Sequence, residues 1–232
     1  NTFRPDAAPH LGSSAGWGNR YRQEGKKIFF MTNNSTKSRK QIWEKLTGMG
    51  LKCSYDEVYT SGYAAALYAK QMGYHTVYIM GSKALEEEFG ELDITVSDQA
   101  EVVIVGYDMT FDYQKLTDAL QVAFHADKII ACNKERHYPG ENAKRMPGCG
   151  AMVGALEGSL GREVDYSVGK PNPLLMEIIC KDNDLRPEEV VVVGDTYESD
   201  IVMAQNYGSS AVYIGEEDHK DIKCIHAIGE LL

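Results

Sequence analysis

The chain has 232 residues, of which 43% are hydrophobic and 25% charged, and its formal net charge is -10. This length and composition fit a globular protein of one large or two modest domains. The acidic balance excludes a general affinity for nucleic acid or for an anionic membrane, because both need basic surface. A local basic pocket for a small anionic molecule remains compatible with it. No apolar run reaches the roughly 20 residues of a membrane helix, and the first residues lack the layout of a signal peptide.

Five cysteines are scattered through the chain without a Cys-x-x-Cys motif, at Cys53, Cys132, Cys149, Cys180 and Cys224. Their odd number and irregular spacing predict buried, reduced thiols, which fit a reducing, cytoplasmic location. The histidines show no metal-ligand spacing, so the sequence indicates no zinc site.

Short apolar runs alternate with segments that have helical periodicity. Strands are predicted over 27–31, 58–61, 75–81, 100–108, 128–133, 188–195 and 210–215. Helices are predicted over 38–49, 63–72, 83–89, 113–125, 150–160, 173–183 and 200–207. Such alternation predicts an α/β fold with parallel sheets covered on both faces. The four valines at 190–193 are interpreted as a central strand.

One strand-helix set lies between two sets whose strands end in polar residues. We interpret it as an inserted domain. The predicted organisation is a core domain of residues 1–74 and 165–232, with a second domain of residues 75–164 inserted into it.

Polar residues follow the first predicted strand, in Thr32-Asn33-Asn34-Ser35. Ligands of open α/β sheets bind outside the carboxyl ends of the strands. A hydroxyl, amide side chains and turning backbone N–H groups at such an end can cradle an anion. The alternative is a helix cap made by Ser35, Thr36 or Ser38.

Lys170 lies between a glycine and a proline in "VGKPNP". The glycine permits a close approach of the backbone, and the proline disfavours a helical conformation for the lysine. An ammonium fixed in this way could neutralise a phosphoryl oxygen. The alternative is a surface lysine in a turn.

Three acids follow the valine strand within seven residues in "GDTYESD". Asp195 stands at the strand end, and Asp200 comes five residues later. Two such carboxylates repel each other unless a proton or a cation lies between them. Mg²⁺ suits the pair, because this ion takes one or two carboxylates together with water and substrate phosphate. The alternative is that Asp200 caps the following helix.

Together, "TNNSTKSR", "GYD", "PGCGAMV", "VGKPNP" and "VGDTYESDI" resemble the haloacid dehalogenase (HAD) superfamily, specifically its p-nitrophenylphosphatase or NagD-like subgroup. The resemblance extends from Gly25 to about Gly215. It implies a Rossmann-like core with an inserted α/β cap of the C2 type. It also implies Mg²⁺-dependent hydrolysis of small-molecule phosphate monoesters.

The resemblance also implies roles for individual residues. Thr32 and Asn33 would bind the transferring phosphoryl group, and Lys170 would neutralise it. Asp195 would ligate Mg²⁺ directly, and Asp200 would hold the metal or its waters. Phosphoryl transfer depends mostly on positioning and charge stabilisation, which suits such a set.

The family's nucleophile is an aspartate in an Asp-x-Asp-Gly motif, and the 31 residues before Thr32 contain no such motif. Asp6 is the one aspartate there, in a proline-flanked segment that does not resemble a strand. We expect the nucleophile to lie in a segment upstream of residue 1. Residues 1–232 alone would then show no more than trace hydrolysis. The alternative is a non-catalytic relative.

The segment 133–150, "NKERHYPGENAKRMPGCG", corresponds to the substrate-contacting part of the family's cap. The resemblance puts Asn133, His137 and Tyr138 nearest the leaving group, while an ordinary solvated loop is the alternative. Relatives often pair through the cap, so a homodimer is compatible with it. Nucleic acid and membranes are not expected partners.

Two other classes of protein compete with the phosphatase. One is a catalytically silent phosphate-ester-binding or regulatory protein on the same fold. The other is a flavodoxin-like or receiver-like binding module, which shares the acid pair but leaves the cap-sized insertion and "VGKP" unexplained.

Overall fold

The chain folds into two compact units in this computed structural model, which describes residues 15–140, 142, 144–217 and 219–231. The first unit contains the described residues up to Thr32, Lys40–Tyr59 and those from Lys170 on. The second contains Asn33–Arg39 and Thr60–Gly169. The predicted domain boundaries at residues 75 and 164 remain a prediction.

The α/β class predicted from the alternating pattern is confirmed. The strands are β1 (Phe30–Thr32), β2 (Val58–Thr60), β3 (Thr76–Met80), β4 (Thr95–Val96), β5 (Val102–Val105), β6 (Lys128–Ala131), β7 (His137–Pro139), β8 (Arg145–Pro147), β9 (Tyr166–Ser167), β10 (Val191–Gly194), β11 (Ser210–Ile214) and β12 (Lys223–Ile225). The helices are α1 (Ala15–Gln23), α2 (Arg39–Gly48), α3 (Ser61–Gln71), α4 (Lys83–Gly90), α5 (Tyr113–Ala123), α6 (Cys149–Leu160), α7 (Leu174–Asn183) and α8 (Val202–Tyr207).

The second unit is built on a five-stranded sheet in the order β4-β3-β5-β6-β9, with every neighbouring pair parallel. The four residues of β5 are fully buried, as expected for a parallel strand covered on both faces. Val103 and Val105 pack in one cluster with residues of α5 and α6, including Ala119 and Val153. Burial on both faces of the sheet therefore explains why β5 is a continuous apolar run.

The first unit contains a parallel sheet in the order β10-β11-β12. Val192 packs against Met176 of α7 and Met203 of α8. The interpretation of the valine strand as central is wrong for the part of the chain that is described. There β10 pairs with β11 alone and ends the sheet, and Val191 is 54% exposed.

A smaller part of the first unit joins β1, β2 and the surrounding helices. Strands β1 and β2 form a two-stranded sheet. Ile42 and Leu46, four apart on α2, are buried against Val58 of β2. Arg22 of α1 donates two hydrogen bonds to Glu57, at 2.5 and 2.7 Å, and so attaches α1 to the segment before β2. The helix predicted over 38–49 is confirmed as α2.

In the described part of the chain, five short strands have no counterpart in the sequence predictions. Strands β4 and β9 have two residues each and lie at the two edges of the five-stranded sheet, and β12 lies at an edge of the other sheet. Strands β7 and β8 form an antiparallel hairpin within the segment interpreted as a loop. Edge strands this short carry too little hydrophobic periodicity to be recognised.

Among the residues described, no helix is long and apolar enough to cross a membrane. All five cysteines are free, as predicted. Cys132, Cys149 and Cys180 are buried, whereas Cys53 and Cys224 are partly exposed, so the expectation of burial is correct for three of the five.

Candidate active site

Strand β10 ends at Gly194, and Asp195 follows it directly. The glycine is required by a close approach within the first unit: a Cβ at Gly194 would lie 2.3 Å from the Cβ of Asp200 and 2.4 Å from its carboxylate. No side chain can occupy that position without moving Asp200. The absence of a side chain at Gly194 therefore lets the side chain of Asp200 pack against the backbone of the strand end.

Asp200 lies in a π-helical turn over Tyr197–Ile201 rather than at the start of an ordinary helix. Such turns are rare and occur often at functional sites. Its Oδ2 accepts a hydrogen bond from the backbone N–H of Thr196 at 3.1 Å. Its own N–H donates to the carbonyl of Thr196 at 2.8 Å. We call residues 195–201 the acid turn. The alternative that Asp200 caps a helix beginning after it is wrong.

Lys170 and Asp200 form a buried ion pair, with Nζ 2.5 Å from Oδ1. Both side chains are almost fully buried, so the alternative of a surface lysine is wrong. Burial alone would raise the pKa of Asp200, but the charge and the hydrogen bond of Lys170 hold that pKa below its usual value. The peptide bond between Lys170 and Pro171 is cis. Their burial and short separation make Lys170 and Asp200 a fixed charge pair in the first unit.

The carboxylate of Asp195 differs from that of Asp200. Its Oδ1 is buried and accepts no hydrogen bond from any residue that the structure describes. An unpaired buried carboxylate oxygen is costly, so it calls for a proton, a water or a cation. No group of three or more His, Cys, Asp or Glu side chains that could hold a metal occurs among the described residues. A single carboxylate with an unpaired oxygen suits Mg²⁺ completed by water and phosphate, and it does not suit zinc.

Thr32 ends β1 in the first unit, and both Thr32 and Asn33 are buried. Asn34 shapes the turn that follows: its Oδ1 accepts hydrogen bonds from the N–H groups of Thr36 and Lys37, at 3.0 Å each. Ser35 does not act as a helix cap, because its Oγ accepts the N–H of Tyr107 at 2.9 Å. That Thr32 shares one anion with Lys170 remains a prediction.

Asn33 is held in the second unit through its backbone carbonyl. That oxygen accepts hydrogen bonds from Asn133 Nδ2 and from Ser61 Oγ, both at 2.8 Å. The Oδ1 of Asn133 in turn accepts the N–H of Glu135 at 3.0 Å. A Cβ at Gly169 would lie 2.7 Å from the Oδ1 of Asn33, so the glycine leaves room for that amide. Asn133 thus links Asn33 to the base of the hairpin, and its predicted contact with substrate remains a prediction.

His137 and Tyr138 are neighbours on β7, so their side chains point to opposite faces of the hairpin. Tyr138 faces the body of the second unit, where its hydroxyl lies 2.8 Å from the hydroxyl of Tyr107. The two rings meet edge to face, with centroids 5.7 Å apart. His137 is exposed. Of these two predicted substrate contacts, only His137 has its ring directed away from the unit.

Sequence reasoning missed several residues that hold the predicted site residues in place. Ser61, Tyr107 and Thr196 each bond to a motif segment, yet none has a sequence signature of its own. Tyr107 was visible within "GYD", but only as part of the resemblance. The pairing of Lys170 with Asp200 could have been anticipated, since both follow strand-like runs and carry opposite charge. Asp6, the acid considered as a nucleophile, lies outside the described residues.

The sequence matches two models of one hydrolase family, described as haloacid dehalogenase-like hydrolase over residues 15–95 and as HAD-hydrolase-like over residues 167–227. The sugar-phosphatase AraL of Bacillus subtilis is 32% identical over 197 residues, which cover 83% of this chain and 72% of that protein. Phosphoglycolate phosphatase 1A of Arabidopsis thaliana is 30% identical over 219 residues, covering 83% of this chain and 60% of that protein.

Among solved structures, a p-nitrophenyl phosphatase from Archaeoglobus fulgidus is similar with a TM-score of 0.85 and 28% identity, covering 92% of this chain and 88% of that one. The chain therefore belongs to the haloacid dehalogenase-like hydrolases, in the phosphatase branch that contains these relatives. The resemblance to the p-nitrophenylphosphatase or NagD-like subgroup is confirmed. The alternative of a flavodoxin-like or receiver-like module is wrong.

Proposed function

We propose that this protein hydrolyses phosphate monoesters of small molecules with Mg²⁺ through an aspartyl-phosphate intermediate. The observation that carries the proposal is the acid turn. There a buried carboxylate oxygen of Asp195 is unpaired within the described chain, beside the buried pair of Lys170 and Asp200. A site for a phosphate ester and Mg²⁺ needs a carboxylate that binds the metal and a fixed cation that neutralises the phosphoryl oxygens.

In this proposal Asp195 is the direct metal ligand, and Asp200 orients Lys170 and the water around the metal. Thr32 and Asn33 hold the phosphoryl group, and Lys170 neutralises its oxygens. Mg²⁺ bound at Asp195 would add further positive charge against the phosphoryl oxygens. The residues described hold and orient the reacting group, which is most of what phosphoryl transfer requires of a protein.

The attacking group is proposed to be the aspartate of an Asp-x-Asp-Gly strand supplied by chain upstream of residue 1. An in-line carboxylate divides the reaction into two easier steps, formation and hydrolysis of an acyl phosphate. Lys170 can hold a phosphate and Asp195 can hold the metal, but neither role allows the residue to attack the phosphorus. The second candidate is a catalytically silent phosphate-ester-binding protein on the same fold.

Small esters are the proposed substrates, since two relatives are named as phosphatases of sugars and of phosphoglycolate. The inserted domain of residues 75–164 is proposed as the cap, with Asn133, His137 and Tyr138 near the leaving group. We also propose a cytoplasmic location, which the five free thiols support. Pairing of two copies through the cap belongs to the same proposal.

The test compares residues 1–232 with the same chain extended upstream by a strand that ends in Asp-x-Asp-Gly. We expect the 232-residue chain to show only trace hydrolysis of p-nitrophenyl phosphate in Mg²⁺. The extended chain should be active and should lose that activity in EDTA. Turnover by the 232-residue chain that disappears in Asp6→Asn would show that the nucleophile is misassigned. An inactive extended chain that still binds phosphate esters would support the silent binding protein.

A further inference from the structure

Three rings form an aromatic cluster in the first unit: Tyr197, Tyr213 and His219. The ring of His219 stacks on Tyr197, with centroids 4.1 Å apart and an interplanar angle of 28°. It also meets the edge of Tyr213, with centroids 4.8 Å apart at 88°. The two tyrosines contact each other edge to face at 6.2 Å. Contacts of this kind stabilise ring arrangements beyond simple burial.

Two of the three rings are attached to the backbone of the proposed metal site. Tyr197 is the first residue of the π-helical turn and comes two residues after Asp195. Tyr213 pairs with Gly194 in the register of β10 and β11. Burial raises the pKa of the Tyr213 phenol, and the nearby carboxylates of Glu217 and Asp195 raise it further. The cluster therefore lies against the acid turn.

His219 comes from a different part of the chain, the segment between β11 and β12. Its Nε2 is buried and has no hydrogen-bond partner among the described residues. The Oε2 of Glu217 lies 3.9 Å from the same nitrogen, and the Glu217 side chain is exposed. Ring contacts, rather than hydrogen bonds of the imidazole, therefore hold His219 in place and let it cover Tyr197.

We propose that His219 is a positioning residue for the metal site, acting through Tyr197 on the acid turn. The inference rests on the proposed function, because it concerns the Mg²⁺ held by Asp195. A π-helical turn is rare and rarely extends beyond a single turn, so contacts from outside help this one to keep one conformation. The imidazole of His219 supplies such a contact by stacking on Tyr197, the first residue of the turn. A turn held in one conformation keeps the carboxylate of Asp195 in one position.

The test titrates Mg²⁺ alone into the 232-residue chain by calorimetry, for the wild type and three variants. His219→Ala removes the ring, and His219→Phe keeps a stacking ring without the nitrogens. His226→Ala is the matched control, a histidine of the same region whose side chain is 75% exposed. We expect His219→Ala to weaken Mg²⁺ binding about fivefold to tenfold, the value of one good ring contact. His219→Phe should restore binding to within about twofold of the wild type.

Amide hydrogen exchange gives a second measurement that does not depend on metal. The N–H of Thr196 donates to Asp200, and the N–H of Asp200 donates back to the carbonyl of Thr196. Both amides should exchange faster in His219→Ala and at the wild-type rate in His219→Phe. Unchanged exchange in His219→Ala, or an equal loss in His219→Phe, would overturn the positioning role. If the wild type binds no Mg²⁺, the proposed metal site fails, and the exchange rates alone decide the role of His219.

Discussion

Asp200 of the first unit and Glu88 of the second are acids that the chain buries to a similar degree, with 4% and 2% of their surfaces exposed. Their surroundings differ. Asp200 accepts hydrogen bonds from the ammonium of Lys170 and from a backbone N–H, and its pKa lies below the usual value. Burial instead raises the pKa of Glu88 to about 7, although the backbone N–H of Arg39 donates to it.

The second oxygen of Glu88 is buried without a hydrogen-bond partner among the described residues. The comparison shows that burial alone does not fix the charge of a carboxylate: the outcome depends on whether a cation is bonded to it. Asp200 therefore keeps its charge at neutral pH. Glu88 of α4 changes its charge near neutral pH, and its hydrogen-bond donor is the backbone N–H of Arg39 in the same unit.

The largest effect is expected from breaking the charge pair of the acid turn. Lys170→Met should lower the free energy of unfolding by about 3–5 kcal/mol, because it leaves Asp200 buried without its cation. Urea unfolding at pH 7 measures this loss. In Lys170→Met/Asp200→Asn both charges are gone, while an amide oxygen can still accept the N–H of Thr196. This double variant should regain at least about half of the loss.

The same pair predicts a dependence on acid. Since the folded pKa of Asp200 is depressed, its stabilisation is present above the ordinary pKa of about 3.9 and disappears as the pH falls through the folded pKa. The double variant should lack this acid-induced loss. A single variant as stable as the wild type at pH 7 would contradict a buried, charged pair.

Glu88→Gln is expected to change the free energy of unfolding by a smaller amount. The contribution of Glu88 depends on pH in the opposite direction to that of Asp200. The folded state binds the proton of Glu88 more tightly than the unfolded state, so the free energy of unfolding should fall as pH rises from about 4.5 through about 7. Glu88→Gln removes this loss and should stabilise the protein at pH 8 by up to about 3 kcal/mol. Near pH 4.5 the variant and the wild type should be equally stable.

Urea unfolding at pH 5 and at pH 8 measures the difference. Glu87→Gln is the matched control, because Glu87 is exposed on the same helix. Equal effects of the two substitutions at pH 8 would show that Glu88 titrates as an ordinary acid.

The smallest effect is expected at the hairpin of the second unit. Tyr138→Phe removes the hydroxyl contact with Tyr107 but keeps the ring contact, at a cost of about 1 kcal/mol. The amide of Gly140, which donates to the carbonyl of Lys144 within the hairpin, should exchange faster with solvent. Tyr113→Phe is the control, since that ring is 85% exposed. Unchanged exchange in Tyr138→Phe would show that the hydroxyl pair does not hold the hairpin.

Most of the regular fold could be predicted from the sequence, because long apolar runs and helical periodicity report burial directly. The strand over Val102–Val105 and the helix over Tyr113–Ala123 lie where the pattern put them. The short edge strands were missed, since two or three residues have no periodicity. Within the described residues the valine run ends its sheet instead of lying at its centre, because hydrophobicity does not say which strands lie beside a given one.

For the site, the sequence indicated which residue types stand at the strand ends but not how they pair. That Lys170 meets Asp200, while one oxygen of Asp195 has no partner in the described chain, depends on the π-helical turn. No local sequence pattern predicts that turn. The contacts of Tyr197 with His219 likewise join segments far apart in sequence. Long-range pairing of this kind is decided by tertiary packing.

The most direct test of the acid turn as a metal site is a Mg²⁺ titration of the 232-residue chain against its Asp195→Asn variant. The substitution preserves shape and removes the charge, so far-ultraviolet circular dichroism should be unchanged. Asp182→Asn, at an exposed position of α7, is the control. We predict one Mg²⁺ site in the wild type and in Asp182→Asn, and no measurable binding in Asp195→Asn. Binding of Mg²⁺ to Asp195→Asn with wild-type affinity would contradict the account.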